Sequence, residues 1–589
     1  MKFFKYFLAT LAGSLVALLL MLFIVAGIFG SMASLGDQPV VIRENTVLKI
    51  ELHAAIAERA PERLIPSFDF LSLQTQQVMG LNRILSAIRN AKDDSRIKGV
   101  YLNLTTVSAG YATVEEIRNA LADFKESGKF IVSYSDFYTQ KAYYLASIAD
   151  RIYMNPMGDF PLKGIGSQVL FLKNAMEKLD IEAEIIRHGK FKSAVEPWMQ
   201  DRMSHESREQ TRTYINAIWD WVADGIAGAR SLDKQQMNEW IDRLEVFEAR
   251  SAMTKGLLDG LTYEDEVLKE LAEYSEAGSE ENPSFVSLSD YIKEHERASM
   301  PATSVDKIAV IFAEGDIVMG SGHVSESITS GGLTNSIREA RQDSSVKAIV
   351  LRINSGGGSA LASEIISREV RLAADVKPVI ASFGDVAASG GYYIATQADI
   401  IVADPTTITG SIGVFGIIPN FRNFMDKKLG LTFDGVTTHR YSDAGNPMRP
   451  LSAEERTILQ KHVENIYDTF LVRVSTGRNM PKETVDEMGQ GRVWSAVDAK
   501  RLGLIDRFGG LNEAVLIAAE KAGLTDYAVK ELPERRTMLE ILLSGLAEEA
   551  KMRAVRAETG EYYKYYRQLK SMAQMQGVQA KMPCEIELY

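Results

Sequence analysis

A single cysteine, Cys584, stands among 589 residues, which excludes an intramolecular disulfide and any zinc site built from several thiolates. Histidine is also scarce. The seven present are scattered, and none has the HExxH or HxxxH spacing that sets two imidazoles on one helix face. Basic side chains are outnumbered, 66 against 78 acids, for a formal net charge of −12. That balance excludes sequence-independent nucleic-acid binding, which needs a cationic surface to displace phosphate counterions. Neither a metal nor a cofactor is expected. Low-complexity tracts are missing, and 46% hydrophobic with 24% charged residues is ordinary globular composition, so disorder and fibrous scaffolds are set aside. A chain of this length can bury several cores without staples.

Long apolar runs are missing too, with one exception. No charge lies between Tyr6 and Leu35, and Leu15 to Ile28 is almost continuously apolar. Roughly 20 apolar residues suffice for a helix to cross a bilayer, so a transmembrane anchor is expected within residues 1–36. Lys2 and Lys5 precede the run and the first acid after it is Asp37, which places the tip in the cytoplasm and the body across the membrane. The competing reading is a cleaved signal peptide with Ser31-Met32-Ala33 as its small-x-small site. Signal peptides have apolar cores of about 7–15 residues, shorter than this run.

The body repeats itself. Ile88 to Lys98 (IRNAKDDSRIK) resembles Ile337 to Lys347 (IREARQDSSVK), residue 88 against residue 337, an offset of 249. Tyr143-Tyr144-Leu145-Ala146 matches Tyr392-Tyr393-Ile394-Ala395, and Asn155-Pro156 matches Asp404-Pro405, in the same register. Several matches at one offset mean a duplicated domain. In the second copy, helices are expected at Leu333–Arg341, Ala362–Ala373 and from Gly390, with strands at Ala348–Ile353, Val379–Ser382 and Ile400–Ala403. Short apolar strands alternating with helices predict an α/β core with a covered sheet. The copies are expected over 46–272 and 305–534, joined by a Glu-, Ser- and Pro-rich connector at 273–304. A tail at 535–589 follows, with an amphipathic helix at Met538–Ala557.

Two glycine clusters carry candidate chemistry, both between a strand and a helix. Asn354-Ser355-Gly356-Gly357-Gly358-Ser359 can present backbone N–H groups to an anion or oxyanion, or can simply be a tight turn needing positive φ. In Ala387-Ala388-Ser389-Gly390-Gly391-Tyr392, the serine is either a helix N-cap or a nucleophile among small neighbours; the spacing is not GxSxG. The first copy has Gln140 opposite Ser389 and no glycines opposite Gly357 and Gly358. Conversely, Lys192 of the first copy falls opposite Ser442 of the second. One copy keeps a candidate nucleophile and the other a candidate base, which is the outcome expected of a shared site. On chemistry alone, Lys190 qualifies as well as Lys192.

The runs at Asn354–Ser359, Ala387–Tyr392, Thr409-Gly410-Ser411-Ile412-Gly413 and Lys192-Ser193-Ala194-Val195-Glu196-Pro197 together resemble the signal peptide peptidase A family in its long tandem-domain bacterial form. The resemblance implies two tandem Clp protease/crotonase-like domains after an N-terminal transmembrane helix, and a serine endopeptidase with a Ser/Lys dyad. It selects Lys192 over Lys190 as general base, with Ser389 as nucleophile and Ser411 orienting the lysine. The amides of Gly357 and Gly390 would form the oxyanion hole. The family usually carries proline where Gly356 stands, so the turn here is looser. Remnant, chiefly apolar signal peptides are the implied substrates, a homotetramer the implied assembly, and the bacterial inner membrane, with the body periplasmic, the implied location. The rivals are an envelope quality-control protease, a crotonase-like acyl-CoA enzyme and an inactive scaffold. A lysine titrates near 10.4 in water, so Lys192 needs a dry site to act as a base at neutral pH.

Overall fold

Val346–Ser355 reads VKAIVLRINS, with a continuously apolar centre at Ala348–Leu351 of the kind that is stable in the middle of a sheet covered on both faces. The computed structural model puts it there. It describes residues 41–60, 78–276, 283–298, 304–322, 327–534 and 577–582, three short strands outside these ranges and isolated positions between 6 and 21. The strand order of the second sheet is Val493–Ser495, Ile408–Gly410, Val379–Ala388, Val346–Ser355, Lys307–Glu314 and Ala528–Leu532, with Ile400–Ala403 also beside Val379–Ala388. All these pairs are parallel except Ile408–Gly410 with Val493–Ser495. One face packs Ile349, Leu351 and Phe383 against helices, and the other packs Val350, Ile380 and Val402 against the helix Leu511–Ala522.

The first sheet repeats the order, running Gly260–Leu261, Arg151–Met154, Phe130–Ser135, Ile97–Asn103, Thr46–Ile50 and Ser284–Ser287, all parallel. Individual hydrogen bonds repeat as well. Asp150 accepts from the Ile131 amide at 2.8 Å, and Asp399 from the Val379 amide at 2.8 Å. Tyr143 donates to the Leu257 carbonyl at 2.7 Å, and Tyr392 to the Leu504 carbonyl at 2.8 Å.

The stretch expected to connect the copies is partly structural. Ser284–Ser287 is an edge strand on Thr46–Ile50, the place that Ala528–Leu532 takes in the second sheet. The helix Leu288–Ala298 follows, with Tyr291 in the core of the first copy. The first domain therefore extends past residue 272, because a four-residue strand on a sheet edge needs little apolar sequence to pair. Nearly all of the expected anchor and the Met538–Ala557 helix lie outside the described residues. Among the described residues no helix is long and apolar enough to cross a membrane.

The halves dock through buried charge. Arg352, fully buried, donates from Nε to Glu58 Oε2 at 2.7 Å, from a terminal nitrogen to Glu116 Oε1, and to Ser382 Oγ at 2.9 Å. Glu116 also accepts from the Leu511 amide at 2.7 Å, and Asp385 accepts from the amide and hydroxyl of Thr113 at 2.9 and 2.8 Å. A guanidinium with a carboxylate fork on two sides fixes orientation as well as distance. The second link is a strand: Glu182–Arg187 of the first copy leaves its own domain and pairs antiparallel with Phe415–Asn420 of the second. That crossing carries residues 188–199 toward the second copy's glycine turns.

Candidate active site

Ser389 sits where Val379–Ala388 ends and the helix Gly390–Ala395 begins, in a backbone conformation of φ 53°. A non-glycine residue there is strained by about 1–3 kcal/mol and is retained where surrounding structure dictates it. The Ser389 amide donates to the Gly410 carbonyl at 2.8 Å, which holds the turn. Ser389 occupies the N-cap position, its carbonyl accepting from the Tyr393 amide at 2.8 Å, but its side chain makes no capping bond to the helix. The hydroxyl points instead to Lys192 of the first copy.

Lys192 follows the crossing strand and begins a turn of 3₁₀ helix at Ser193–Val195. Its Nζ donates to Ser389 Oγ at 2.8 Å, to Ser411 Oγ at 3.0 Å and to the Ser411 carbonyl at 3.2 Å. Ser389 Oγ in turn faces the Gly413 carbonyl at 3.3 Å. Ser411 shares the unusual backbone, with φ 52°, and its amide donates to the Arg492 carbonyl at 2.6 Å. Lys192, Ser389 and Ser411 are each 0% exposed. With no carboxylate among the partners of the amine, burial drives the Lys192 ammonium well below the ordinary lysine value. Lys190, the chemical equal of Lys192 in sequence, is exposed and lies 5.1 Å from the ring of Phe191. The structure separates the two lysines by burial.

Gly357 and Gly390 lie back to back: a Cβ on Gly357 would come 2.6 Å from the Gly390 amide nitrogen. The Gly357 amide donates to Ser355 Oγ at 3.1 Å. The residues opposite the site in the duplication have other duties. Gln140, opposite Ser389, donates to Tyr111 and accepts from the Lys163 and Gly164 amides at 3.1 and 2.9 Å. Ser442, opposite Lys192, lies in an exposed loop. His188 stacks on Tyr467 with centroids 4.1 Å apart and takes no part in the cluster.

Sequence reasoning missed the groups that hold the lysine. Gln210, buried on the helix His205–Arg230, donates to Ser193 Oγ at 2.8 Å and to the Phe191 carbonyl at 3.1 Å, and accepts from the Val493 amide at 3.0 Å. It ties the lysine turn of one copy to the sheet of the other. Gly491 packs against the Lys192 backbone and Cβ, and Phe191 donates to the Gln490 carbonyl at 2.9 Å. Only the Gly489-Gln490-Gly491 cluster carried a visible signal.

A nucleophile-sized hydroxyl bonded to a buried neutral-leaning amine, beside two glycine turns, is equipped for acyl transfer. Comparisons with known proteins agree. The peptidase family S49 model matches residues 123–278 and 371–525, once in each copy. Protease 4 of Haemophilus influenzae is 34% identical over 82% of this chain and 80% of its own length. Protease 4 of Salmonella typhi is 37% identical over 79% and 75%. The chloroplastic serine protease SPPA of Arabidopsis thaliana is 33% identical over 86% and 74%. Among solved structures, ClpP1 from Listeria monocytogenes is similar over 34% of this chain and 91% of its own, at 14% identity and a TM-score of 0.23. The chain belongs to peptidase family S49 and is a serine peptidase.

Proposed function

We propose that this chain is a membrane-anchored endopeptidase that cleaves remnant signal peptides with Ser389 as nucleophile and Lys192 as general base. The observation that carries the reading is the 2.8 Å contact between a fully buried amine and a hydroxyl from the other copy. Held neutral by its dry surroundings, Lys192 takes the Ser389 proton as the oxygen attacks the scissile carbonyl. Ser411, bonded to Nζ through both hydroxyl and carbonyl, fixes the direction of the amine's lone pair. The tetrahedral oxyanion is met by the Gly390 amide and by the Gly357 amide, which exchanges its Ser355 partner for the substrate oxygen. Each such donor contributes about 10²–10³ in rate. The protonated lysine then gives its proton to the leaving amine, and the acyl-enzyme is hydrolysed by a water that the same amine activates.

The apolar N-terminal run supports anchoring in the bacterial inner membrane with the body on the periplasmic side, next to the signal peptides left there. A homotetramer and the Clp protease/crotonase kinship complete the reading. The test is cleavage of an apolar signal-peptide substrate by purified protein, with a fluorophosphonate mapped onto the chain. Ser389→Ala and Lys192→Ala should each abolish cleavage without changing the assembly, and the label should sit on Ser389. Full activity in either variant overturns the assignment.

A further inference from the structure

The loop 489–492 touches both sides of the Ser389–Lys192 cluster through its backbone. On one side the Gln490 carbonyl accepts from the Phe191 amide at 2.9 Å, next to the lysine. On the other, the Gly491 amide donates to the Ile412 carbonyl at 2.7 Å and the Arg492 carbonyl accepts from the Ser411 amide at 2.6 Å. The loop closes on itself where the Arg492 amide donates to the Gly489 carbonyl at 2.8 Å. It leads into Val493–Ser495, which pairs with Ile408–Gly410 just ahead of Ser411.

One side chain of this loop turns back to the first copy. The guanidinium of Arg492 lies over the ring of Phe191, 4.6 Å from its carbon to the centroid, and over that of Trp494 at 4.4 Å. A terminal nitrogen donates to Glu209 Oε1 at 3.0 Å, on the helix that also carries Gln210. Trp494 is itself held, its Nε1 donating to the Met488 carbonyl at 3.0 Å. Exposure rises along this chain of contacts, from 0% at Lys192 and 7% at Phe191 to 19% for the Arg492 side chain and 44% for that of Glu209. Arg492 Nε is buried with no hydrogen-bond partner among the described residues. A buried donor left unpaired is costly, and the stack on two rings keeps it there. A planar guanidinium packs on aromatic faces and is weakly hydrated, so it closes a surface that an ammonium would keep wet.

We infer that Arg492 is a positioning residue for the peptidase reaction: it presses Phe191, and with it the lysine turn, onto the second copy and closes the amine off from water. The inference rests on the reading of Ser389 and Lys192 as nucleophile and base, and adds what keeps that base dry. The charged groups around the turn leave burial in control. Arg187 donates to the Lys192 carbonyl, not to the amine, at 3.4 Å, and Lys190 is exposed. Glu209 is taken up by Arg492, while His188 and Asp486 are engaged by Tyr467. Once the seal is removed, water reaches the amine and holds it as ammonium. Each unit by which its titration moves up lowers the neutral fraction at pH 7 about tenfold, and raising the pH restores it.

Arg492→Ala removes the stack, and Arg492→Lys keeps the charge while losing the planar surface; the second, milder change covers the case in which the first does not fold. Full-length proteins are compared by pH–rate profiles of kcat/KM on a short peptide ester, by fluorophosphonate labelling of Ser389 over the same pH range, and by thermal unfolding as a control on folding. The expected result in Arg492→Ala is a midpoint raised by about one unit toward 10.5, hydrolysis at pH 7 lowered about tenfold, and rates that rejoin wild type above the new midpoint. Arg492→Lys should move the same way by less. An unmoved midpoint in the folded variants overturns the inference, whether the rate is that of wild type or is lowered equally at every pH, since loss of mere support does the latter. The peptidase reading then stands, because Ser389 is still labelled. Absence of hydrolysis and of labelling in wild type overturns the peptidase reading itself.

Discussion

Gly491→Ala isolates the positioning of the lysine from its chemistry. A Cβ on Gly491 would sit 2.6 Å from the Lys192 Cβ, where ordinary contact begins at 3.4 Å, a deficit of 0.8 Å. Neither side gives easily. The new methyl also meets the Lys192 backbone nitrogen and Cα at 2.7 Å, and the Gly491 amide is tied to the Ile412 carbonyl at 2.7 Å. The lysine turn therefore moves by most of an ångström, and Nζ moves with it away from Ser389 Oγ. A displacement of about 1 Å at a reacting group costs about 10²-fold in rate. Because the substitution touches no groove residue, the loss should fall on kcat, with KM held within about twofold by the same logic of uniform binding. Gly491 also has φ +79°, and a left-handed alanine costs about 1–2 kcal/mol whatever it touches. Gly128→Ala is the control for that term, since its φ is +81° and nothing lies within 4 Å of its Cβ. Steady-state kinetics on a peptide ester and urea unfolding should then separate the variants: a shared backbone loss of about 1–2 kcal/mol in both, with a further steric loss of stability and the loss of activity in Gly491→Ala alone. Wild-type kcat in a folded Gly491→Ala protein would refute the claim that this contact sets the lysine.

The acylation rate should rise with pH through an inflection below the 10.5 ordinary for lysine, because burial lowers the Lys192 value and only the neutral amine is a base; a pH–rate profile of kcat/KM with its midpoint at or above 10.5 contradicts this. The same shift makes the unfolded chain bind the extra proton, so this residue's contribution to stability grows as pH rises toward 10.5, and Lys192→Met should flatten that slope in pH-dependent unfolding. Glu314 shows the opposite sign: burial, and then the charge of Glu58, pushes it up from 4.5 to about 7. Its contribution is full below pH 4.5 and lost as pH climbs to about 7, and Glu314→Gln should remove that loss. Arg352→Met leaves Glu58 and Glu116 buried without their cation and should cost about 3–5 kcal/mol in chemical denaturation, with adding Glu58→Gln and Glu116→Gln restoring part of it. Gln210→Leu strands the buried Val493 amide, a loss of about 1–3 kcal/mol, and should lower kcat by loosening the lysine turn.

Much of the second copy was legible in the chain. The expected strands at Ala348–Ile353 and Val379–Ser382 appear as Val346–Ser355 and Val379–Ala388, because an apolar run of that length fits nothing else in an α/β pattern. The strand after residue 272 was illegible, since SFVS pairs through its backbone at a sheet edge and needs no apolar signature. The two readings of Ser389 were also beyond local sequence. A serine at a helix start looks the same whether or not φ is positive, and only the tie from its amide to Gly410, a loop further on, turns the hydroxyl away from the helix. Gln210 acts at long range, from a helix of the other copy. No periodicity marks it.

The crossing strand Glu182–Arg187 has a bearing on biosynthesis. The amine emerges from the ribosome about two hundred residues ahead of the hydroxyl it bonds to in the folded chain. A nascent or truncated polypeptide therefore carries half of the machinery and hydrolyses nothing. Proteolytic competence arrives only once both copies are made and correctly docked.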